Sequence, residues 1–108
     1  MHRVPGPAQE VAAELGARGW DVARVPAAAS EDELWEGVSE ALDLPAWFGR
    51  NLDALDEVIA DLSRPTALVL ARWTTYARAH PERWRALLEV LGNRAGQPDP
   101  ALVVMLTD

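Results

Sequence analysis

The spacing of apolar positions changes along the chain, and each change marks an element. Residues 7–17 place Val11, Ala12 and Leu15 on one helical face, with Gly16 and Gly19 near the end. Residues 20–25 alternate (Trp, Asp, Val, Ala, Arg, Val), the period of a half-buried strand, which Pro26 stops. Ser30 with Glu33 three positions later is a capping box. It opens a helix with Leu34, Trp35, Val38, Ala41 and Leu42 on one side. That helix must end by Leu44, because the residue ahead of a proline is driven out of the α region. Residues 66–71 (TALVLA) and 101–106 (ALVVML) are unbroken apolar runs between breakers, as in parallel strands covered on both faces. Residues 72–79 form a short helical or irregular segment. Pro81 suits the first position of the next helix, whose buried stripe is Trp84, Leu87, Leu88 and Leu91. Residues 97–100 read as a turn, and residues 1–7, with two prolines and a glycine, as loose chain. The order predicts an α/β fold: a three-stranded parallel sheet packed with about four helices. Residues 1–19 are expected to be a partly helical N-terminal extension, and residues 20–108 the main domain.

One stretch stands apart. Residues 44–62 read LPAWFGRNLDALDEVIADL: a stop, two adjacent aromatics, turn residues, then a helix from residue 52 with Asn51 as N-cap. At about 100° per residue from Asp53, the apolar residues Leu52, Leu55, Val58, Ile59 and Leu62 fall between roughly 140° and 260°. Asp53, Asp56, Glu57 and Asp61 fall between roughly 300° and 80°. One face is built for burial. The other is a ridge of four carboxylates with no basic residue within it.

Charge sharpens that picture. The chain has 108 residues and a net charge of −7, but residues 30–62 hold ten acids and one Arg, whereas the other 75 residues carry +2. Such a patch repels nucleic acid and anionic membranes and favours a basic partner, or serves solubility alone. All ten basic residues are Arg. The absence of Cys excludes disulfide scaffolding and thiolate chemistry. No apolar run approaches the length of a membrane span, and no signal segment stands at the start; the expected location is the cytoplasm.

Little catalytic chemistry is on offer. His2 and His80 have no neighbouring ligand, so no metal site is expected. Ser30, Ser39 and Ser63 lack a nucleophile-elbow setting, and no phosphate-cradling glycine motif occurs. Asp53 and Glu57, four apart, have the spacing of an acid/base pair or a Mg²⁺ site, but an exposed ridge lacks the burial and orienting partners that tune such groups. The chain therefore reads as a non-enzyme without cofactors.

The segment LPAWFGRNLDAL resembles the signature of the barstar family of intracellular ribonuclease inhibitors, through Trp47, Phe48, Gly49, Asn51, Asp53, Ala54 and Leu55. The resemblance runs from about residue 20 to residue 108. It implies a barstar-like domain whose acidic helix and preceding loop plug the active site of a secreted basic, barnase-like ribonuclease, the carboxylates standing where substrate phosphates would. It implies a partner surface of Trp47, Gly49, Asn51, Asp53, Asp56, Glu57 and Asp61, with Asp53 and Glu57 as the main anchors, and an immunity protein that is monomeric when free. Phe48 is expected to face inward and Asn51 to cap the helix. Glu57 stands where the best-known members carry Asp, Asp56 where they often show Trp or Ala, and Leu62 where the type member has an aromatic. The region of Asn93 and Arg94 replaces acids of the later helix and would repel a basic enzyme. An acidic docking module for some other basic protein is the alternative reading.

Overall fold

The computed structural model describes residues 1–97 and 102–108. Its elements are β1 (His2–Val4), α1 (Ala8–Ala17), β2 (Asp21–Val25), α2 (Glu31–Ala41), α3 (Leu52–Ala60), β3 (Thr66–Leu70), α4 (Trp73–Ala79), α5 (Pro81–Ala95) and β4 (Leu102–Thr107). The strands form one parallel sheet in the order β1-β4-β3-β2. Among the described residues there are thus four strands and five helices, not three and about four. The expected turn over residues 97–100 falls mostly outside the described residues.

The extra strand corrects the reading of the first residues as loose. His2, Arg3 and Val4 lie beside Met105, Leu106 and Thr107. Three residues, two of them polar and exposed, carry no period to recognise. What holds them is the backbone ladder of β4, whose outer edge would otherwise go unpaired. Residues 2–4 are therefore built into the sheet.

The connections explain which helices lie where. From β1 to β2 the chain crosses the whole sheet, whereas β2 to β3 to β4 walks back the other way. Right-handed crossovers taken in opposite directions put their helices on opposite faces. Accordingly α1 lies over Val22, and it shares an apolar cleft with Val4 and Met105. The other face of the sheet carries Ala23, Val25, Leu68, Leu70, Leu102, Val104 and Leu106, and receives the side chains of α2 to α5 in one core. β3 is buried along its whole length, as its unbroken apolar run requires.

Helix α3 reaches this core through Leu55 and Ile59, both almost fully buried. The element it packs against is α5 rather than the strands alone. The apolar face of α3 therefore rests on a helix that itself rests on β4, and this places α5 beside the acidic ridge.

Candidate functional site

The loop ahead of α3 is shaped by three local devices. First, α2 ends in a Schellman motif: the Leu44 N–H donates to the Ser39 carbonyl at 2.9 Å and the Asp43 N–H to the Glu40 carbonyl at 3.2 Å. Asp43 takes the left-handed conformation this needs (φ 53°), which Asp tolerates better than most residues. Second, the Phe48 N–H donates to the Pro45 carbonyl at 3.0 Å, closing a turn. Third, Asn51 ties the loop to the helix. Its Oδ1 accepts from the Ala54 N–H at 2.8 Å and its Nδ2 donates to the Gly49 carbonyl at 3.0 Å. Both polar ends of Asn51 are thus engaged within the chain, as a cap requires. A Cβ on Gly49 would stand 3.0 Å from Asn51 Nδ2, close enough that the Asn51 side chain would have to shift by a few tenths of an ångström.

The turn sends adjacent aromatics in opposite directions. Phe48 is buried and meets Trp35 of α2 edge-on, with ring centroids 6.1 Å apart. Trp47 is 85 % exposed. This indole, held out in water on a turn fixed by hydrogen bonds, lies outside the core.

The ridge divides in two. Asp53, Glu57 and Asp61 are exposed at intervals of four along the helix and form no ion pair among the described residues. Their mutual repulsion disfavours the helix by a few tenths of a kcal/mol per pair. Asp56 behaves differently. Arg94 of α5 grips it with both arms, Nε to Oδ1 at 2.7 Å and Nη2 to Oδ2 at 3.0 Å. The hydrogen bonds from Arg94 and its charge hold the Asp56 carboxyl below the usual carboxylate range, against a smaller opposing effect of burial. The same contacts raise the Arg94 guanidinium further. Asp56 is thus, among the described residues, the member of the expected partner surface whose charge is answered from within the chain.

The ion pair was not anticipated, yet a signal for it existed. Arg94 lies seven residues after Leu87 and three after Leu91, on the buried stripe of α5. A basic residue on a buried stripe needs an acid on whatever the stripe faces. Asp56 borders the apolar face of α3 and is the acid best placed to answer.

The chemistry available here is recognition. Among the described residues no group of three or more His, Asp or Glu side chains converges as for a metal ion. The roomiest cleft described, about 520 Å³, lies at the carboxyl end of the sheet, between Pro7, Pro26 and Arg72, and none of the α3 carboxylates lines it. The α3 side carries the exposed carboxylates of Asp53, Glu57 and Asp61, with the exposed indole of Trp47 on the loop before it.

A comparison with known families agrees in outline. The model of the family described as Barstar (barnase inhibitor) matches residues 21–105. The chain belongs to the barstar family. The match runs from β2 into β4 and leaves out β1 and α1. No curated protein matches the chain. No helix among the described residues is long and apolar enough to cross a membrane.

Proposed function

We propose that this barstar-family protein is an intracellular, non-enzymatic inhibitor of a secreted ribonuclease, acting as an immunity protein for the cell that makes the enzyme. The observation that carries the reading is the pairing of an exposed Trp47 with the unanswered carboxylates of Asp53 and Glu57, on the segment that bears the family's signature. A ribonuclease active site is lined with cations that hold phosphates. Carboxylates form charge-assisted hydrogen bonds with the same cations, bidentate where the cation is Arg. The opposed fields steer encounter as well. Trp47 adds apolar contact beside the charges, and Asn51 and Gly49 hold the loop that presents it. Asp61 extends the face at its far end, and Asp56 reaches the partner only alongside Arg94.

The test is an inhibition titration. The purified chain is added to barnase, and separately to the ribonuclease activity secreted by the source organism, with cleavage of a fluorogenic RNA followed. One-to-one loss of activity of at least one enzyme is expected. If every ribonuclease retains its activity at a large excess of the chain, the inhibitor reading fails and the acidic docking reading takes its place.

A further inference from the structure

We propose that Arg94 is a specificity-determining residue of the α3 face, and that its outward edge receives a carboxylate of the inhibited ribonuclease. This deepens the inhibitor reading and rests on it. The geometry is the starting point. An Arg guanidinium carries five N–H donors in a planar fork. Nε and Nη2 face Asp56 in a side-on pair, which leaves one Nη1 donor and one Nη2 donor on the end-on edge. No second carboxylate pairs with Arg94 among the described residues, and its side chain is 33 % exposed beside a 40 % exposed Asp56. The pair is thus part-exposed, and the orientation of the guanidinium is already set by the bidentate grip. A planar donor pair fixed in advance binds an incoming carboxylate without the usual cost of ordering a long side chain.

Partner chemistry follows from the charges around it. Asp53 and Glu57 attract cations. One turn away, Arg94 repels them, because a cation arriving opposite Asp56 meets the guanidinium first. The best-matched enzyme therefore presents a mosaic: basic groups opposite Asp53 and Glu57, and an Asp or Glu opposite Arg94. A uniformly basic active-site rim fits this face less well. The arrangement combines an attractive element with a repulsive one, as specific interfaces do.

The experiment measures association and dissociation rates between the ribonuclease inhibited in the titration above and a set of variants: Asp53→Ala, Asp56→Ala, Arg94→Gln and Arg94→Lys. Thermal melts monitor folding. Arg94→Gln is expected to speed dissociation by about tenfold or more, as truncation of a hydrogen-bonded interfacial charge does. Arg94→Lys restores less than half of the loss in log units, since an ammonium lacks the fork. Asp56→Ala breaks the same contact between α3 and α5 but keeps the guanidinium, so its effect stays within about threefold, in the range of residues that are not hot spots. Replacing the facing carboxylate of the enzyme by its amide abolishes the difference between wild type and Arg94→Gln. Unchanged or tighter binding by Arg94→Gln, the result that simple release of Asp56 predicts, overturns the proposal. Equal losses for Asp56→Ala and Arg94→Gln overturn it too, by reducing Arg94 to an internal clamp. Asp53→Ala separates the two levels: if it binds as wild type does, the inhibitor face itself is wrong, whereas a weakened Asp53→Ala beside a normal Arg94→Gln removes only the role of Arg94.

Discussion

Helices α2 and α3 carry the same acidic pattern and stand in different settings. On α2, Asp32, Glu36 and Glu40 recur every four residues; on α3, Asp53, Glu57 and Asp61 do the same. All six are exposed and none is in an ion pair among the described residues. Both helices are capped by a polar side chain, Ser30 and Asn51 respectively. The aromatic neighbours differ. The tryptophan of α2, Trp35, is buried in the core, whereas Trp47 projects from the loop that enters α3. The nearest cations differ as well. Arg83 pairs with Glu31 at the very start of α2, while Arg94 grips Asp56 in the middle of α3. Density of carboxylates, therefore, does not mark a site. The site proposed on α3 differs from α2 in having an exposed indole beside the charges, on a loop held by hydrogen bonds.

The two tryptophans offer the hardest test of that contrast. Trp35 is 4 % exposed, and its truncation to Ala leaves a cavity against Phe48. A loss of about 3–5 kcal/mol of stability is expected, readable as a lowered denaturation midpoint. Trp47→Ala should change stability by no more than about 0.5 kcal/mol, as surface substitutions do. Its cost is expected in the inhibition titration, at about 2 kcal/mol or more of binding free energy, the size typical of a tryptophan at an interface centre. If Trp47→Ala instead melts early and inhibits normally, the indole is structural and the distinction between the two helices collapses.

Matched carboxylate pairs give the next largest effect. Asp53→Ala or Glu57→Ala is expected to lose about 2 kcal/mol or more in binding, and Glu36→Ala or Glu40→Ala under about 0.5 kcal/mol, since rim charges act mainly on the rate of encounter. All four variants relieve repulsion between acids four apart, so their stabilities should be equal or slightly raised. Equal binding losses on both helices would mean that the whole acidic half of the molecule acts as a diffuse field. The α3 face would then have no special standing.

Part of this could be read without coordinates, and the part that could not has a common cause. The Ser30–Glu33 box, the Asn51 cap, Pro81 at the start of α5 and the two apolar strands are set by neighbours a few residues away, and each appears where its local chemistry places it. The division of the ridge, by contrast, depends on two residues 38 positions apart. It exists only because α3 packs on α5. Likewise β1 is held by β4 from the opposite end of the chain. Nothing in a three-residue polar segment announces a strand until its partner is in place.

The smallest expected effect bears on Asp56, the residue on which α3 departs most clearly from α2. Its carboxyl is held below the ordinary 3.8 by the hydrogen bonds and charge of Arg94. A group whose folded value is depressed binds its proton more weakly in the native state than in the unfolded chain. The stability it contributes is therefore fully present above the unfolded value and fades as pH falls through the folded one. Asp56→Asn removes the charge and keeps the shape. Wild type should melt above Asp56→Asn at neutral pH, and the gap should close as pH falls below about 4, the region in which an unpaired Asp titrates. The pair is part-exposed, so the gap is expected to be modest and to shrink in high salt. In an Arg94→Gln background the same comparison should show the gap largely gone, since the group that holds the Asp56 carboxyl down has been removed. A gap that persists undiminished in that background would show that Arg94 does not answer Asp56, and would return Asp56 to the set of carboxylates free to meet a partner.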